Sequence, residues 1–131
     1  MTAEEVYFSK TLPTSIGGAV LLEGHMYGTT AQSTLCVDFK SGDVKWQERG
    51  VGAGAVLYAD GRLYVHGENG DVALIEPTPE AYREHGKFKP ADPPKRGQRE
   101  QAWTYPVVAN GRLYIRDKNV MWCYDVKEAV N

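Results

Sequence analysis

Three segments of this chain repeat one pattern, and that repetition restricts the fold more than any other feature. The first is Ala19-Val20-Leu21-Leu22-Glu23-Gly24-His25-Met26-Tyr27-Gly28. The second is Ala55-Val56-Leu57-Tyr58-Ala59-Asp60-Gly61-Arg62-Leu63-Tyr64-Val65, and the third is Pro106-Val107-Val108-Ala109-Asn110-Gly111-Arg112-Leu113-Tyr114-Ile115. Each reads as an apolar strand, a turn at Gly24, Gly61 or Gly111, and a second strand carrying Tyr27, Tyr64 or Tyr114. Asp60-Gly61 and Asn110-Gly111 are strong two-residue hairpin signals, because such turns need positive φ at their central residues. A repeated hairpin predicts stacked copies of one unit, none of which buries its apolar face alone.

A third strand is predicted after each hairpin, at 33–39, 71–76 and 120–126. Fourth strands are uneven. The first unit has 44–48. In the second, Pro77 and Pro79 interrupt the chain, and 81–88 resumes it. The third has none. An orphan strand, 4–10, precedes the first hairpin. The chain therefore divides into an outer strand at 4–10, units at 17–49 and 52–90, and a three-stranded unit at 103–127. Residues 1–131 read as one all-β domain without a helix.

The stretch Cys36-Val37-Asp38-Phe39-Lys40-Ser41-Gly42-Asp43-Val44-Lys45-Trp46 joins the third and fourth strands of the first unit. It resembles the docking motif of PQQ-like, quinoprotein-type β-propellers, Ala-x-Asp-x-x-x-Gly-x-x-x-Trp. Cys36 stands in the Ala position, and Asp38, Gly42 and Trp46 match at their spacing. Cys123-Tyr124-Asp125 reopens the motif in the third unit, with no Gly or Trp after it. Asp43-Val44-Lys45-Trp46-Gln47-Glu48-Arg49, Thr78-Pro79-Glu80-Ala81-Tyr82-Arg83-Glu84 and Gly111-Arg112-Leu113-Tyr114-Ile115-Arg116-Asp117 are similar to the C-terminal blades of planctomycete-type bacterial members.

The resemblance implies four-stranded antiparallel blades, each pinned to the next by its Trp. The chain then holds about three blades' worth of strands, circularly offset. Three blades are too few for a closed ring, since known rings hold roughly four to eight. Homo-oligomerisation is the expected remedy, with Val6, Tyr7 and Phe8 completing the third unit of another copy. Two copies give six blades and three give nine. The resembled family usually has eight, so a homotrimer distorts blade packing less than a homodimer and is favoured.

Three functional classes follow. The first is a non-catalytic scaffold or protein-interaction module. The second is a PQQ- and calcium-binding quinoprotein dehydrogenase remnant. The resemblance implies for such enzymes a stacking Trp, a catalytic Asp and often adjacent cysteines. Here no two cysteines are adjacent, and Asp38 and Asp125 fall where turn hydrogen bonds are expected. The third is a small-ligand or carbohydrate binder using Tyr7, Tyr58, Tyr105 and Trp103. The expectation is the first, with no catalytic residue, no cofactor and no metal.

The remaining features exclude more than they assign. With 131 residues and a formal charge of −2, the chain offers no reason to expect nucleic acid or insertion into a membrane. No basic region followed by an apolar run marks an export signal, though relatives are often periplasmic. Cys36 and Cys123 hold equivalent repeat positions on different units. They are expected to be buried Ala replacements and not a disulfide. His25, His66 and His85 lack a nucleophile or ligand-spaced partner and read as structural. The basic turn-rich run 87–99 reads as a solvated loop. The expected core is Val20, Leu22, Tyr27, Leu35, Val37, Trp46, Val56, Leu63, Val65, Leu74, Val107, Leu113, Ile115, Trp122 and Tyr124.

Overall fold

The computed structural model describes residues 1–13, 15, 18–102 and 104–127. The expected limits at Gly17 and Trp103 lie outside these residues. Eleven strands and no helix are present among them. The first sheet holds β1 (Ala19–Leu22), β2 (His25–Thr29), β3 (Thr34–Asp38) and β4 (Val44–Glu48) in that order. The second holds β5 (Gly54–Ala59), β6 (Arg62–Gly67), β7 (Val72–Ile75) and β8 (Glu84–Phe88). The third holds only β9 (Val107–Ala109), β10 (Arg112–Asp117) and β11 (Val120–Asp125). Every pairing is antiparallel and sequential.

The tight hairpins fall where the turn chemistry placed them. Asp60 and Gly61 take φ of 50° and 74°, and Asn110 and Gly111 take 52° and 71°. Both four-stranded sheets carry one irregularity at the same place, between Cys36 and Val37 and between Leu74 and Ile75. Such a bulge sharpens the twist of the outer strand pair.

Alternation along each strand gives every sheet two faces. Tyr27, Cys36 and Trp46 of the first sheet pack against Val56, Leu63, Val65, Ala73 and Ile75 of the second. The opposite face of the second sheet supplies Tyr64 and Val72 to Leu113 and Ile115 of the third. The three sheets thus stack in a row with two apolar interfaces.

Residues 4–10 pair with no strand among the described residues. Val6 and Phe8 are 83% and 75% exposed. Three expectations need correction. Val107, placed in the core by its repeat position, is 53% exposed, since no sheet among the described residues packs on the outer face of the third. Cys123 is exposed for the same reason, whereas Cys36 is buried. The fourth strand of the second sheet begins at Glu84, three residues later than the pattern suggested, after the two prolines.

Candidate functional site

The inter-sheet junctions carry the specific chemistry of this chain. At the first, Trp46 projects from β4 and its Nε1 donates to the carbonyl oxygen of Thr78, 2.7 Å away in the β7–β8 connection. Its ring meets Tyr82 edge-on at 5.4 Å and lies 6.2 Å from Tyr27. The edge-to-face Trp46–Tyr82 pair gains beyond its buried area.

The turn before Trp46 is held by Asp38. Its Oδ1 accepts the backbone N–H of Lys40 and Ser41 and the Ser41 hydroxyl, at 2.9–3.1 Å. The Ser41 hydrogen bonds hold this carboxyl below its ordinary range. Gly42 completes the turn at φ 77°. Asp125 begins the same turn in the third sheet, its Oδ1 accepting Lys127 N–H at 3.1 Å.

Cys36 lies opposite Trp46 in the β3–β4 ladder. Burial pushes its thiol up to about 11, against a hydrogen bond with Tyr27 that acts the other way. Burial also raises the Tyr27 hydroxyl. Neither group is poised for chemistry near neutral pH.

Position 86 of the second sheet, the equivalent of Trp46, is Gly86, so the second junction is built differently. Trp122 of β11 reaches back and donates its Nε1 to the carbonyl of Ala91 at 2.9 Å. Phe88 meets Tyr124 edge-on at 4.7 Å. Arg96 pairs with the buried Asp117 of β10.

A second link repeats at both junctions, and sequence reasoning missed it. The Thr29 hydroxyl, at the end of β2, donates to the carbonyl of Gly54 at 2.9 Å and accepts its N–H at 3.1 Å. His66, at the same place in β6, hydrogen-bonds the carbonyl of Thr104 through Nδ1 at 2.9 Å. Because the acceptor is a carbonyl, Nδ1 carries the proton. The available signal was that each residue lies two beyond the repeated Tyr27 or Tyr64.

The N-terminal stretch also meets the first sheet. The Tyr7 hydroxyl donates to the Phe39 carbonyl at 2.7 Å, and its ring covers Gly42 so closely that a Cβ there would sit 2.8 Å from it. Lys10 lines a cleft at the opposite end of the sheet together with Thr30 and Gln47.

Clefts between the sheets are open to solvent, among them two of different size. The larger, about 1130 Å³, is lined by residues of both charge signs, including Glu48, Arg49, Asp71 and Lys87. The smaller, about 580 Å³, lies at the hairpin end between the second and third sheets, beside Asp60, Arg62, His85 and Lys127. Among the described residues no three His, Cys, Asp or Glu converge to hold a metal ion. Trp46 and Trp122 have their indole N–H groups committed to carbonyls of the neighbouring sheet. The Asp38 carboxylate is committed to its turn. Among the described residues these groups do not converge into one set that would hold PQQ with calcium. Trp103 lies outside them.

No family model and no curated protein matches the chain. Solved structures do. A quinohemoprotein alcohol dehydrogenase from Comamonas testosteroni superposes with a TM-score of 0.56 and 18% identity, over 75% of this chain and 16% of its own. Another from Pseudomonas putida HK5 gives 0.61 and 17%, over 83% of this chain and 18% of its own. This chain has the fold of a β-propeller segment. Its three sheets are blades, two with four strands and one with three. At these identities the likeness is one of fold, and the chain spans under a fifth of the length of those two enzymes.

Proposed function

We propose that this chain is a non-catalytic propeller module that builds its ring from copies of itself, three in preference to two. The resemblance to planctomycete-type PQQ-like repeats belongs to the same reading. The observation that carries it is the state of the two ends of the blade row. At one end Val6, Phe8, Leu21, Phe39 and Val44 are exposed; at the other Val107, Met121 and Cys123 are. Between them the same kinds of residue are buried in two blade–blade interfaces. Leu35 and Val37 on the outer face of the first blade are buried, but the apolar residues left exposed at both ends of the repeat stack favour association. The described indoles tie neighbouring blades through Trp46–Thr78 and Trp122–Ala91, and the Asp38 carboxylate holds its own turn.

Solution mass measured by light scattering over a range of concentrations tests the reading. A discrete multiple of 14.5 kDa is expected, with three copies favoured. A monomer at every concentration overturns self-assembly. A rise in melting temperature on adding PQQ with calcium overturns the non-catalytic part, because a ligand that binds the folded state stabilises it.

A further inference from the structure

The contact made by Tyr7 repeats the contact made by Trp46. Trp46 sits on an outer strand, and its Nε1 donates to a carbonyl in the connection between the third and fourth strands of the next blade, at Thr78. Tyr7 donates its hydroxyl to a carbonyl in the corresponding connection of the first blade, at Phe39. The two pairs have the same sequence separation, 32 residues. From Tyr7 to Lys10 the chain runs from the β3–β4 turn towards the far end of the sheet, the direction in which β4 runs. Residues 5–10 therefore occupy the place of an outer strand belonging to a blade before the first. No inner strand of such a blade lies beside this segment among the described residues, so it has no ladder.

The third blade shows the complementary vacancy. Among the described residues β11 pairs with β10 alone. In its repeat position β11 is the equivalent of β3, which has β4 on its other side. The equivalence is close: Val126 N–H bonds the Gly111 carbonyl as Phe39 N–H bonds that of Gly24, both at 3.0 Å. The Asp125 turn matches that of Asp38.

We infer that the free edge of β11 takes residues 5–10 of a second copy as its fourth strand, in the register that sets Tyr7 opposite Cys123. This rests on the self-assembly reading and specifies its joint. The register is transferred from the first blade, where Cys36 faces Trp46 and Thr34 faces Glu48. It sets Cys123 against Tyr7 and Met121 against Ser9. Tyr7 then shares a face with Tyr114 and Cys123, as Trp46 shares one with Tyr27 and Cys36. Val6 and Phe8 fall on the other face, with Trp122 and Tyr124. That face meets the second blade of the same copy, where Phe88 is 38% exposed. The segment thus uses both its faces, and its backbone completes the ladder of β11.

Cysteine cross-linking reads the register. Residues opposite each other in an antiparallel pair have Cα atoms roughly 4.5–5.5 Å apart, within disulfide range. Under mild oxidation Tyr7→Cys should form covalent multimers with the native Cys123, visible on a non-reducing gel and abolished by Cys123→Ser. Phe8→Cys should not, because its side chain points to the other face. A second pair, Ser9→Cys with Met121→Cys in the Cys123→Ser background, leaves Tyr7 in place and should also cross-link. Multimers by solution mass with neither pair cross-linking would overturn this joint and leave self-assembly standing. Monomers throughout would overturn both.

Discussion

Trp46 and Thr78 are joined across the first blade interface by a 2.7 Å hydrogen bond from indole Nε1 to a backbone carbonyl. The bond sits at the edge of an apolar cluster that includes Tyr27, Val56, Leu63 and Ile75. Removing the indole therefore removes both packing and the only polar tie that Trp46 makes. Trp46→Ala is expected to cost about 3–5 kcal/mol, the range for truncating a buried aromatic residue. Trp46→Phe keeps a ring against Tyr82 and loses the donor, for about 1 kcal/mol. Urea unfolding midpoints of the two variants measure the difference. Equal losses would mean that the ring adds nothing beyond the hydrogen bond, and no loss in Trp46→Phe would mean that the hydrogen bond contributes nothing separable.

His66 makes the second blade interface sensitive to acid. It is 1% exposed, and burial is the main cause that lowers its pKa below the ordinary 6.5, with the nearby Arg96 charge acting the same way. The hydrogen bond to Thr104 opposes them. A histidine whose folded pKa is depressed contributes stability above its unfolded value. That stability is lost as pH falls from about 6.5 through the folded value. Melting temperature should therefore drop between pH 7 and 5. His66→Thr, which borrows the solution used at Thr29, should flatten that part of the profile. An unchanged slope in the variant would remove His66 from the account.

These two junctions show why part of the molecule was readable and part was not. The hairpins at Gly61 and Gly111 and the alternation along β6 and β10 are local, so period and turn chemistry identify them. Trp46 was readable because its motif includes the turn that aims it. Val107 and Cys123 were misplaced because repeat position predicts burial only where a neighbouring blade exists. Residues 4–10 carry a strand pattern but no partner. The Thr29 and His66 links depend on backbone groups 25 and 38 residues away, which no local pattern indicates. Gly86 in the position of Trp46 shows the repeat changing its means of docking while keeping its register.

Asp38 gives an acid dependence of its own, at lower pH. Hydrogen bonds from Ser41, and then from Lys40, hold its carboxyl below the ordinary range. A carboxyl with a depressed folded pKa contributes stability above its unfolded value, near 3.9. The contribution disappears as pH falls from there through the folded value. Asp38→Asn keeps an acceptor oxygen for the turn and should remove this dependence while leaving neutral-pH stability close to that of the parent chain. Asp38→Ala removes the acceptor and should lower the melting temperature at neutral pH as well. Thermal melts at pH 7 and pH 3 separate the two effects. Identical behaviour of both variants would mean that the charge, and not the acceptor, holds the turn.

The two cysteines should differ sharply in reactivity, and the difference reports on assembly. Cys36 is fully buried, with its thiol pushed up to about 11. The thiolate is the reactive form, so at pH 8 only about one Cys36 in a thousand would be ionised even if reagent reached it. Cys123 lies exposed on β11. Dilute folded protein should release one equivalent of a disulfide reagent's chromophore quickly and the second only on unfolding. Raising the protein concentration should slow the first reaction, because a strand laid along β11 covers Cys123. Two fast equivalents would mean that the first blade interface opens freely. One fast equivalent with a rate independent of concentration would mean that nothing lies along β11.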